Sequence, residues 1–155
     1  MLKVYELVVE QKLKISLDKA WDFFSSPKNL KLITPKHIGF DVINNPAEKM
    51  HAGMIISYKL SPFKGFKTTW VTEITQVEKP NFFIDNQRFG PYSMWHHQHY
   101  FEEIDGGVLV KDIIHYVVPF GIIGRFANWL FVRKQLNGIF SFRKKILKEK
   151  FGEIE

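Results

Sequence analysis

The chain has 155 residues, no cysteine and a net charge of +6. That length suits one domain, residues 1–155, with a core large enough to hold without staples; the missing cysteines exclude disulfides and thiolate metal sites. The basic excess favours anionic ligands or acidic lipid headgroups, while no nucleic-acid motif accompanies it, so nucleic acid is not an expected partner.

The first residues, "MLKVYELVVEQKLKIS", have no basic segment leading into an unbroken apolar core, so no secretory signal is read there and a cytoplasmic location is expected. Instead they alternate. Tyr5, Leu7, Val9, Gln11, Leu13 and Ile15 share one face and Glu6, Glu10, Lys12 and Lys14 the other, which predicts a half-buried strand. Ser16 is the expected N-cap of a short helix carrying Ala20, Trp21, Phe23 and Phe24. Pro27 opens a second short helix that must end near Thr34, because Pro35 disfavours helical geometry in the residue before it.

From Phe40 to Val118 the chain reads as six strands: "FDVI", "GMIISYKL", "FKTTWVTEITQVE", "FFIDNQRF", "YSMWHHQHYFEEI" and "GVLVKDIIHYVV". The connections between them, including "SPFKG", "KPN" and "DG", are short and rich in turn residues, which implies an antiparallel meander. The most apolar run, 116 to 132, is interrupted by Pro119, Arg125 and Asn128 and is too short to span a bilayer. Beyond Pro119 one long helix of about 28 residues and ~40 Å is predicted, with Ile122, Phe126, Trp129, Leu136, Phe140 and Leu147 as its apolar stripe. Such a helix can cover one face of a curved sheet, and strong curvature leaves a cavity between the two. The basic run "RKKILKEK", 143 to 150, reads as a solvated face.

This element order, with "GPYSMWHHQHYF", "VKDIIHYVVPFGIIGR" and "RKQLNGIFSFR", resembles the START-like SRPBCC superfamily. Within it the chain is similar to the small polyketide cyclase/dehydrase-type proteins, relatives of the birch pollen allergen. The matching positions are Asp112, Tyr116, Pro119, Phe120 and Gly121 at the strand-to-helix junction, and Trp21, Phe23 and Phe24 in the first helix. The resemblance implies an α+β helix-grip fold: a curved seven-stranded antiparallel sheet wrapped on the C-terminal helix around an internal cavity. It also implies binding of a lipid, fatty acid, polyketide-like or other small apolar molecule, and in some members a cyclase or dehydratase activity.

Three of the six histidines fall within "HHQH", 96 to 99. A two-residue Asp105-Gly106 hairpin pairs Ile104 with Gly107, and the register follows. It sets Phe101 against Val110, His99 against Asp112, His97 against Ile114 and Trp95 against Tyr116, all pointing inward, while His96 opposes His115 outside. Three uses of the inward pair stay open. The H-x-H spacing suits a metal with Asp112 or Asp85 as a third ligand, but nothing else converges there, so no metal and no cofactor is assigned. A His99–Asp112 dyad can act as an acid–base pair, with Tyr116 donating to a developing enolate. The preferred reading is that paired His and Asp satisfy one another and orient the polar end of an apolar ligand.

The expected ligand-lining set is Trp70, Trp95, His97, His99, Phe101, Asp112, Ile114, Tyr116, Phe126, Trp129 and Arg133, the last as a clamp for an anionic end. The loops "SPFKG" and "FGPYS" and the start of the long helix are the expected gate. A weak contact with an anionic membrane surface is the further partner considered.

Overall fold

The computed structural model describes residues 2–63 and 65–155. Strand β1 (Tyr5–Leu13) leads into α1 (Leu17–Phe24) and the short α2 (Pro27–Leu30), followed by two 3-10 turns. The Ser16 hydroxyl caps α1 by accepting from the Lys19 backbone N–H. Thr34 is extended, as the residue before a proline must be. Six strands follow: β2 (Asp41–Val42), β3 (Ile55–Phe63), β4 (Phe66–Glu78), β5 (Phe82–Phe89), β6 (Met94–Ile104) and β7 (Gly107–Val117). Lys64, within the expected "SPFKG" turn and gate, lies outside the described residues.

The seven strands form one antiparallel sheet in the order β1-β7-β6-β5-β4-β3-β2. The pairing of β6 with β7 is the register computed from the hairpin: Ile104 opposes Gly107, His99 opposes Asp112 and Trp95 opposes Tyr116. Register shifts between β3 and β4 and at two places between β4 and β5 mark bulges. Bulges bend a strand and increase its twist, and these lie on the β3 to β5 side of the sheet.

The C-terminal helix runs from Gly121 to Phe151 but is not uniform. It consists of α3 (Gly121–Ala127), a π turn (Asn128–Val132) and α4 (Arg133–Phe151). Its inward residues Gly124, Asn128, Val132, Leu136 and Phe140 recur at four-residue steps. A straight α-helix, at 3.6 residues per turn, could not keep that series on one face; the wider π turn absorbs the excess. Beyond Phe140 the spacing returns to three and four, with Arg143 and Leu147 buried.

The helix end is fastened to β1. Lys14 N–H donates to Gly152 O, Ile154 N–H donates to Lys12 O, and the Gln11 side chain donates to Lys144 O. The helix therefore lies over β1 and β7, where Ile114, Tyr116, Leu136 and Phe140 form one apolar cluster. A second cluster sits beneath α1 around Trp21, Phe83 and Phe101. Among the described residues, no helix is long and apolar enough to cross a membrane.

Candidate functional site

Because the helix covers β1 and β7, the concave face of β3 to β6 is left with a cavity of about 190 Å3. Its sheet wall carries Ile56, Tyr58, Leu60, Trp70, Ile74, Phe83 and Trp95. The short helices add Phe23, Leu30 and Ile33, and α4 adds Leu136, Ile139 and Phe140. Trp70 and Trp95 meet edge to face with ring centroids 5.2 Å apart.

One charged patch interrupts this apolar wall: Asp85 of β5, His97 and His99 of β6, and Arg143 of α4 all reach the cavity, with Asp112 of β7 behind them. Strand pairing assembles it, since Asp85 lies opposite His97 and His99 opposite Asp112. His97 Nε2 donates to Asp112 Oδ1 at 2.9 Å, and His99 Nδ1 is 3.0 Å from the same oxygen. On the other side, His99 Nε2 donates to Asp85 Oδ2 at 2.7 Å, and His97 Nδ1 stands 3.7 Å from that atom. The two imidazoles lie against each other, tilted by 35°, with centroids 3.7 Å apart. Arg143 lies over the Phe140 ring, with its Nη1 3.8 Å from Asp112 Oδ2.

Burial disfavours charge on every member, and the contacts decide which members keep it. Burial opposes ionisation of Asp112, but its two histidine partners outweigh this and hold it well below the usual carboxylate range. Burial opposes ionisation of Asp85 too, and His99 and His97 lower it in the same way. Burial, then the neighbouring His99, pushes His97 down. Burial also acts against His99, but its hydrogen bonds to Asp112 and Asp85 raise it. Between the two carboxylates, these directions favour protonation of His99 over that of His97.

Trp70, Trp95, His97 and His99 of the expected lining reach the cavity. Asp112 lies behind the histidines, and it serves both of them rather than forming a dyad with His99 alone. Phe101 is covered by Trp21 and Phe24, and Ile114 by the terminal helix, so neither lines the cavity. Tyr116 is also covered, and its hydroxyl donates to Asn128 Oδ1 at 3.0 Å instead of facing a ligand. Phe126, Trp129 and Arg133 point to solvent, Trp129 being 73 % exposed, because the π turn rotates this end of the helix away from the sheet. The inward arginine is Arg143, which the basic run had concealed; its spacing of three from Phe140 and four from Leu147 was the signal available.

No protein-family model matches the chain, and no curated protein matches it in sequence. Among solved structures it is similar to TTHA0849 from Thermus thermophilus, with a TM-score of 0.73 and 17% identity over 94% of this chain and 95% of that one. It is similar also to the major latex-like protein 151 of Panax ginseng (TM-score 0.67, 14% identity, 96% and 97% covered). A norcoclaurine synthase point mutant from Thalictrum, solved with a transition-state analogue, matches at TM-score 0.66 and 14% identity over 97% and 98%. At such identities the shared property is the fold, and the fold is helix-grip.

Proposed function

We propose that the protein binds a small amphiphile, its apolar body in the cavity and its polar or anionic end against His97, His99, Asp85 and Arg143. The observation that carries this is the convergence of apolar walls from β3 to β6 on one charged patch. Burying about 150 Å2 of apolar ligand surface contributes about 4 kcal/mol, and the patch supplies orientation. The volume favours a compact ligand, since a cavity of about 150 Å3 holds a benzene ring. A short acyl chain or a single polyketide-like ring fits this scale better than a two-chain lipid.

Native mass spectrometry of the purified protein, followed by organic extraction, tests the reading together with quenching of Trp70 and Trp95 by a panel of aromatic and short-chain carboxylates. Uptake by the wild type and its loss in Leu60→Trp, with the far-UV spectrum unchanged, is the expected result. An empty extract and no quenching across the panel would refute it. A cyclase- or dehydratase-type reaction is the alternative use of the same cluster, favoured by two imidazoles facing the cavity with a carboxylate behind both. It requires that His99→Gln abolish turnover while ligand uptake persists.

The exposed side of the terminal helix supports a second partner, an anionic bilayer surface. Phe120, Ile122, Ile123, Phe126, Trp129 and Phe131 are all exposed, and Arg125, Arg133 and Lys134 stand among them. Apolar and aromatic groups flanked by bases suit the headgroup region of acidic membranes. This moves the contact from the basic end of the helix to its beginning. Cosedimentation with phosphatidylserine vesicles at low salt, absent with phosphatidylcholine vesicles and lost in Ile123→Ser/Trp129→Ser, is the expected outcome; equal binding by that double variant would refute it.

A further inference from the structure

We propose that Asp85, His97 and His99 form a binding site for a divalent transition-metal ion, opening into the cavity and oriented from behind by Asp112. One ligand atom from each of the three residues lies within 4.8 Å of the others. Asp85 Oδ2 is 2.7 Å from His99 Nε2 and 3.7 Å from His97 Nδ1. Atoms bound to one ion at about 2.0–2.2 Å sit about 3 to 3.5 Å apart, so these two distances need change only by tenths of an ångström.

The stronger argument is the role of Asp112. The ring nitrogens on the far side, His97 Nε2 and His99 Nδ1, are 2.9 and 3.0 Å from a single oxygen of that carboxylate. A carboxylate only accepts, so His97 Nε2, hydrogen-bonded to it, carries the hydrogen, and His99 Nδ1 is placed to do the same. The near-side His97 Nδ1 then presents a lone pair beside Asp85, and His99 Nε2, which donates to Asp85 here, presents one when an ion replaces that hydrogen. Three acceptors around one point call for a cation. A proton on His99 Nε2 meets part of that need, but it leaves His97 Nδ1 too far from Asp85 for a hydrogen bond. A metal ion satisfies all three. Ligating imidazoles whose other N–H is held by a carboxylate are the usual support of protein metal sites.

Two imidazoles and one carboxylate, without thiolate, suit Zn2+, Co2+, Mn2+ or Fe2+, and leave coordination positions free. Those positions face the apolar cavity. Two carboxylates, the Arg143 guanidinium and a dication together leave one positive charge over, so the free positions favour an anionic oxygen donor. That last step rests on the ligand-binding reading above; the metal site itself does not.

The test uses Co2+ and Zn2+ alone, added to chelator-stripped full-length protein without organic ligand. Isothermal titration is expected to give one site per chain, and Co2+ to give a visible ligand-field spectrum. Asp85→Asn and His97→Asn each weaken binding more than tenfold and Asp112→Asn by about 10- to 100-fold, whereas His115→Gln on the outer face changes nothing. Should the inner variants fail to fold, the wild-type Co2+ protein decides alone, with two paramagnetically shifted, slowly exchanging imidazole N–H resonances expected. Absence of binding, or binding abolished by His115→Gln, overturns the site. Metal binding without uptake of carboxylates would count against the ligand reading, and uptake without metal binding against the metal.

Discussion

Asp112 is the residue on which the cluster depends. It faces His97, His99 and Arg143 at once, so removing its carboxylate leaves two imidazoles and a buried guanidinium without their shared partner. An uncompensated buried charge costs about 3–5 kcal/mol. Asp112→Ala is therefore expected to lower stability by about that amount in urea denaturation of the chelator-treated protein; a loss below about 1 kcal/mol would mean that the groups are not coupled. Half of this arrangement was legible. A two-residue hairpin sets which side chains oppose one another, so the inward placement of His97, His99 and Asp112 follows from counting. Asp85 could not be placed that way. The connection from β5 to β6 passes through "GPYS", which has no single geometry, and a shift of one residue would have turned Asp85 outward.

At the scale of the element, the π turn decides what the terminal helix offers to the sheet. It buries Asn128, whose side-chain oxygen accepts from the Tyr116 hydroxyl at 3.0 Å, and leaves Phe126 and Trp129 outside. Tyr116→Phe removes the side-chain donor that this oxygen has among the described residues and is expected to cost about 1–3 kcal/mol. Thermal unfolding of that variant checks this, and an unchanged midpoint would show that the pair is dispensable. The sequence predicts the helix and its length well, because apolar residues recur over its whole span. It misplaces the front of the stripe because α periodicity was applied through a segment that does not follow it. Ile122, Phe126 and Trp129 fit a 3.6-residue repeat with Leu136 and Phe140 as well as Gly124, Asn128 and Val132 fit a four-residue one.

At the scale of the whole molecule, closing the sheet buries Tyr58 against Phe40 and half-buries Tyr92 among Trp70, Trp95 and Tyr116. Burial, then the nearby Asp85, raises the phenol of Tyr58, and burial, then Tyr116, raises that of Tyr92. Below pH ~10 these phenols stay protonated in folded and unfolded chains alike. Above it the unfolded chain ionises them and the folded one does not, so stability present below pH ~10 is lost as pH rises. Absorbance at the tyrosinate band is expected to show three of the five tyrosines, Tyr58, Tyr92 and the likewise raised Tyr116, ionising only together with unfolding. All five titrating before any change in circular dichroism would contradict the burial.

Alternation, capping and turn chemistry are local, and they settled the order of elements, the antiparallel meander and the inward faces of β6 and β7 before any tertiary contact was known. Three things depended on how elements pack. The helix lies over β1 and β7, so Ile114 and Tyr116 became core while β3 to β6 became the cavity wall. Asp85 met His97 and His99 because β5 pairs with β6 in one register among several. Arg143 reached the cavity because a π turn and the docking of the helix end on β1 set the helix's rotation. Contacts between distant segments carry no period in the chain, and the charged floor of the cavity is made of such contacts.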